Sequence, residues 1–183
     1  VCGLITPWNF PVAIPAWKLA PALICGNTVV FKPSSDTPLC AVELVKILEE
    51  AGVPKGVVNL VTGPGGTVGR SIITHKDIRA ISFTGHRSTG EFILRNAGIK
   101  KIGLEMGGKN PMILMEDADL DLAIEGVLWA GFGTTGQRCT AASRVLVHHK
   151  IQREFENKLL RRIEKLRLGN GLKSGTDIGP LIN

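Results

Sequence analysis

The 183-residue chain has no tyrosine, and aromatic residues make up only 5% of it. A surface that stacks nucleic-acid bases on aromatic rings is therefore not expected. No apolar run approaches the ~20 residues that span a bilayer, so no transmembrane helix is expected. Cys2, Cys25, Cys40 and Cys139 include no CxxC pair. His75, His86, His148 and His149 add no ligand spacing, and no metal site is expected. With 44% apolar residues and no secretory signal, the chain has no need of disulfides. Reduced thiols in a cytoplasmic protein are expected. There is no initiator methionine, and the last residues, DIGPLIN, read as loop. Both ends suggest an internal segment of a longer chain. Repeats and low-complexity tracts are absent.

The net charge is +6, and its densest stretch is KIQREFENKLLRRIEKLR at 150–167. Acids interleave with bases there, which predicts a solvated amphipathic helix rather than a nucleic-acid surface. A phosphate-bearing cofactor is the more economical use of the remaining positive charge.

Short apolar runs alternate with helical ones. VCGLI, NTVVF, VVNLV, RAISF and KIGLE read as strands, with helices over Pro15–Ile24, Thr37–Ala51, after Gly66 and around Glu91–Ala97. The fold class expected is α/β, with a parallel, doubly wound sheet. Texture changes at Gly107-Gly108. A strand PMILM, a helix from Asp117 to about Phe132, a strand RVLVHH and a helix over 151–166 then start a second α/β domain.

Several stretches bear chemistry. Residues 61–69, VTGPGGTVG, place Gly63, Gly65, Gly66 and Gly69 between a strand and a helix. The spacing is not GxGxxG, and a tight turn and a cofactor contact are both open. Residues 83–90, FTGHRSTG, put a second helix start, near Ser88, at a strand's carboxyl end. Free N–H groups and the helix dipole favour anions there, and two such starts in one sheet favour a dinucleotide. Lys32 leaves a strand in FKPSSDTP, either to snorkel into water or to bind ribose hydroxyls or phosphate. Glu105 ends a strand in LEMGGK; burial there is costly and raises its pKa towards that of a general base. Asn9 lies between Pro7 and Pro11, as an ordinary loop residue or a rigid oxyanion donor. Cys139 sits among small residues in GQRCTAASR, where Arg138 and a helix start would favour thiolate. Taken alone, packing and catalysis are both open for it.

In order, PWNFP, FKPS with TP, VTGPGGTVG, SFTG with Gly90, LEMGGKNP and GQRC resemble the aldehyde dehydrogenase superfamily over essentially the whole chain. The resemblance implies part of an NAD(P)-binding domain over 1–107. It also implies the N-terminal part of a catalytic domain, with the nucleophile, over 108–183. Cys139 would attack the aldehyde carbonyl, while the Asn9 amide and the Cys139 N–H hold the oxyanion. Hydride would pass to NAD or NADP. Glu105 would then activate water against the thioester, which also sets this chain apart from the coenzyme-A-acylating branch. Lys32 would contact the adenine-side ribose or its phosphate. Thr84 and Gly85 would pass beneath the cofactor, Gly63 and Gly65 would lie near its adenosine end, and Trp8 would join these cofactor residues. A small aldehyde is the implied partner, in a homodimer or homotetramer of the full-length form, with no nucleic acid and no membrane.

The chain departs from the family pattern in three places. Ser35 stands where many NAD-preferring relatives carry a glutamate, so NADP acceptance is expected. His86-Arg87 replaces Ser-Thr, with Arg87 on a cofactor phosphate or in water. The family chain is more than twice this length and carries a later nicotinamide-ribose clamp and an oligomerisation arm. The segment alone is therefore expected to be unstable. The alternative reading is a non-catalytic nucleotide-binding remnant of the same fold. A basic nucleic-acid-binding domain rests on charge alone.

Overall fold

Valine, isoleucine and phenylalanine dominate the early strands, and such strands suit a sheet covered on both faces. The computed structural model describes residues 1–183 and divides them into two units, Val1–Met106 and Gly107–Asn183. The first unit runs β1 (Cys2–Ile5), α1 (Ala13–Ile24), β2 (Val29–Lys32), α2 (Pro38–Glu50) and β3 (Val58–Leu60). A π-helical turn over Gly65–Gly69 leads into α3 (Arg70–Thr74), followed by β4 (Ala80–Gly85), α4 (Arg87–Asn96) and β5 (Lys101–Met106). The strand order is β3-β2-β1-β4-β5 and every pairing is parallel, the doubly wound sheet that the alternation predicts.

Side chains alternate across a strand, so neighbours in β1 serve opposite cores. Ile5 joins Ile72, Ile73, Ile81, Phe83 and Ile93 on the face covered by α3 and α4. Leu4 joins Leu19, Val29, Phe31, Ala41 and Val45 on the face covered by α1 and α2. Each fully buried side chain of this size stabilises by about 1.5–3 kcal/mol. Helix ends carry ordinary signals. Pro38 opens α2, where its missing N–H is no loss, and Gly26 and Gly52 follow α1 and α2 at positive φ.

The second unit holds β6 (Asn110–Leu114), α5 (Leu120–Phe132), β7 (Ala142–Val147) and α6 (Gln152–Ile163). β6 and β7 are parallel, over a core of Leu114, Ile124, Val127, Leu128 and Phe155. Asp119 caps α5, its Oδ1 accepting from the N–H of Asp121 at 3.0 Å and of Leu122 at 3.1 Å. The basic stretch 150–167 forms α6 and its exit, with Phe155 buried. Lys158 pairs with Asp121 and Arg162 with Glu125, exposed contacts worth under about 1 kcal/mol each. No helix is long and apolar enough to cross a membrane.

Gly3 marks where α3 rests on β1. A Cβ there would lie 2.6 Å from Ile72 Cγ2 and 3.3 Å from Ile78 Cγ2, whereas a Cβ at Gly103 of β5 meets nothing within 4 Å. Gly3→Ala is expected to lower stability by about 1–3 kcal/mol. Gly103→Ala is expected to stay within about 0.5 kcal/mol of the parent. Urea midpoints of the two variants check this, and equal midpoints would contradict the packing.

Candidate functional site

In a doubly wound sheet, ligands bind outside the carboxyl ends of the strands, where the strand order reverses. Here the order reverses at β1, with β2 and β3 on one side and β4 and β5 on the other. A cavity of about 390 Å³ opens at those ends. Ile5 and Lys32, the last residues of β1 and β2, line it. Gly65, Gly66, Gly69 and Arg70 come from the turn after β3, and Ser88 and Thr89 from the first turn of α4. A Cβ at Gly65 or Gly66 would meet no atom within 4 Å, so the backbone there is open to a ligand. Gly63 has φ +138°, and a Cβ there would press on Val68 Cγ2 at 2.7 Å. Glycine is thus required to start this turn. Ser35 is exposed and donates from Oγ to Gly63 O at 3.3 Å, joining the loops after β2 and β3.

Lys32 does not snorkel. It is 4% exposed, and its Nζ donates to Pro33 O at 2.8 Å. Burial lowers its pKa from the ordinary lysine value. It forms no ion pair, and no acid lines the cavity. A buried cation without a counter-charge is costly, and a bound anion would relieve that cost.

Thr84 is buried at the end of β4, and Gly85 follows it before α4 begins. The helix starts at Arg87, one residue earlier than expected, with the His86 ring capping Ser88 N–H at 3.3 Å. Arg87 donates from Nε to Glu91 at 2.8 Å and is exposed, so it faces water in a pair. Thr84 and Gly85 pair in register with Glu105 and Met106 of β5. Ile102 and Leu104 face the α3–α4 core, which turns Glu105 to the opposite face. Glu105 is exposed, which corrects the expected burial: β5 is an edge strand, and its outer residues on that face lie uncovered.

Lys18, which the motifs did not single out, stands on α1. It donates from Nζ to Ser82 Oγ of β4 at 2.8 Å. Burial lowers its pKa, and the charge of Glu105 acts the other way. The available signal was its being the one charge in the helix AIPAWKLAPALI. Asn9 is half-buried in the loop between β1 and α1, at the carboxyl edge of the sheet, with Trp8 partly exposed beside it.

In the second unit the chain leaves α5 through Gly133–Gly136. Thr134 and Thr135 have φ 52° and 61°, a left-handed pair that β-branched residues rarely adopt. Such strain costs on the order of 1–3 kcal/mol per residue and collects at functional sites. The guanidinium of Arg138 lies 4.7 Å from the Trp129 ring centroid and donates to the carbonyls of Trp129 and Ala130. Its charge is thus held at the carboxyl end of α5. Cys139 is exposed and sits in a turn before β7. No helix starts there, so the expected dipole support for a thiolate is missing. Asn110, at the start of β6, donates from Nδ2 to Cys139 O at 2.7 Å and to Ala141 O at 3.1 Å. It lay inside the motif LEMGGKNP without an assigned role. All four cysteines are free thiols.

The profile of the aldehyde dehydrogenase family matches residues 1–183. Betaine aldehyde dehydrogenase of Bacillus subtilis (strain 168) is 52% identical over 185 residues, covering 100% of this chain and 38% of that protein. Alpha-ketoglutaric semialdehyde dehydrogenase of the same organism is 49% identical, covering 99% of this chain and 38% of its own. The crystal structure of betaine aldehyde dehydrogenase from Staphylococcus aureus in complex with NAD+ is 44% identical with a TM-score of 0.97, covering 100% of this chain and 36% of that one. The chain thus spans well under half the length of these relatives.

The buried lysine sets a pH dependence. Its lowered pKa means that the unfolded chain binds more protons as pH passes the folded value. The penalty is present at neutral pH and is relieved as pH rises through the folded pKa towards the ordinary one. Lys32→Met is expected to match or exceed the parent's stability at pH 7 and to show a smaller gain on going to about pH 10. Urea midpoints at both pH values test this; a less stable variant at pH 7 with an unchanged alkaline gain would contradict it.

Proposed function

This chain belongs to the aldehyde dehydrogenase family, and from that membership and the site geometry we propose that it oxidises an aldehyde to a carboxylic acid with NAD or NADP as hydride acceptor. The first unit is read as the cofactor-binding domain and the second as the start of the catalytic domain. The observation that carries the cofactor assignment is the cavity at the reversal of strand order, with bare glycine backbone and an uncompensated buried lysine in its wall. A dinucleotide fits these features: its phosphates take N–H donors and its charge answers the lysine. When bound it supplies the acceptor for hydride.

The residue roles follow. The exposed thiol of Cys139 attacks the carbonyl carbon, and the new oxyanion is held by the Asn9 side-chain amide and the Cys139 N–H. Loss of hydride from that carbon leaves a thioester on Sγ. Glu105 takes a proton from water, the hydroxide oxygen adds to the thioester, and the thiolate leaves with release of the acid. Asn110 holds the Cys139 carbonyl and so fixes the turn that presents the thiol. Lys32, Ser35, Gly63, Gly65, Thr84, Gly85 and Trp8 serve the cofactor. Betaine aldehyde and α-ketoglutaric semialdehyde, the substrates in the relatives' names, head the panel of aldehydes to test. Ile24, Ile99 and Leu172 stand in water, which supports their being covered in the full-length protein or a homodimer or homotetramer of it. A cytoplasmic location completes the reading.

Aldehyde-dependent formation of reduced cofactor by the full-length protein is the test. Cys139→Ala is expected to lose oxidation entirely and to keep cofactor affinity within about 2-fold, because the thiol acts on substrate. Steady turnover by that variant would overturn the assignment.

A further inference from the structure

We propose that Arg70, together with Lys32, reads a phosphate on the 2′ position of the adenosine ribose, so that the cavity selects NADP over NAD. The inference rests on the cofactor reading above and adds a specificity-determining residue to it.

Arg70 is the first residue of α3 and lines the cavity with Lys32. Its guanidinium carbon lies 5.9 Å from the centroid of the Phe92 ring on α4, which holds the cation across the cavity wall without neutralising it. Other arginines near this end of the sheet are committed: Arg87 and Arg95 both pair with Glu91. Arg70 and Lys32 are in no ion pair, and no carboxylate lines the cavity. A site with two uncompensated cations and no acid is built for a dianion rather than for a neutral diol.

The position within the sheet says which phosphate. In nucleotide-binding sheets of this type, an acid beyond the second strand takes the ribose hydroxyls when the cofactor is NAD. Where an arginine stands nearby instead, it accommodates the 2′-phosphate. Here β2 ends at Lys32 and continues Pro33-Ser34-Ser35, with no carboxylate. Asp36, the first acid, is exposed and accepts from Ser34 Oγ at 3.1 Å. Ser35 Oγ lies at the same corner, against Gly63 O. Lys32 and Arg70 stand at the ends of β2 and of the turn after β3, on one side of the reversal point. The α4 N-terminus after β4 lies on the other side and is free for a different phosphate.

The test is calorimetric titration of the full-length protein with adenosine 2′,5′-bisphosphate, adenosine 5′-monophosphate and inorganic phosphate. The parent is expected to bind the bisphosphate about 10-fold or more tighter than the monophosphate, the worth of a charge-assisted contact. Arg70→Gln is expected to erase that preference, leave monophosphate affinity within about 2-fold, and leave thermal stability unchanged because the side chain is exposed and unpaired. Arg70→Lys should keep part of the preference. Equal affinity of the parent for the two nucleotides overturns the proposal while leaving the cofactor reading intact. So does an equal loss for both nucleotides in Arg70→Gln, or inorganic phosphate binding as tightly as the bisphosphate. Binding of neither nucleotide removes the cofactor reading and the proposal together.

Discussion

β1 is only four residues long, and the first unit depends on it. It pairs with β2 on one edge and β4 on the other. Its adjacent residues Leu4 and Ile5 enter the two cores of the sheet. Gly3 lets α3 lie directly on the strand. Because the chain winds outward in both directions from β1, the crossovers diverge at its carboxyl end and leave a crevice that no side chain fills. Lys32, the glycine turn after β3 and the first turn of α4 reach the cavity by this topology alone. The cofactor site is thus a product of the strand order, and its charge is a product of burying one lysine without an acid.

The second unit places its strain differently. Two threonines in left-handed backbone precede Cys139, and the side chains of Arg138 and Asn110 hold the turn on either side of it. Arg138 anchors to the end of α5, and Asn110 ties the turn to the start of β6. The thiol is presented from a fixed loop on a small scaffold. That arrangement suits a nucleophile better than a packing residue, which would sit among the apolar side chains of the core.

Periodicity made the parallel sheet legible, because apolar strands and their helices differ in repeat and are punctuated by Gly26 and Gly52. It could not show Glu105's exposure, since an edge strand reads like a central one until its neighbours are known. The helix start imagined at Cys139 was a misreading of GTTG, whose backbone turns through positive φ before the cysteine arrives. Lys18, Arg70 and Asn110 escaped notice for one shared reason. Their meaning lies in partners 64, 22 and 29 residues away, respectively Ser82, Phe92 and Cys139. No local pattern encodes such pairings.

The chemistry assigned to Cys139 and Glu105 is tested most directly by mass spectrometry of the full-length Glu105→Gln protein after reaction with aldehyde and oxidised cofactor. With water activation removed, an acyl adduct should accumulate on Cys139, with about one equivalent of reduced cofactor and no steady turnover. Undiminished steady turnover, or an acyl group on Cys2, Cys25 or Cys40 instead, would contradict the account.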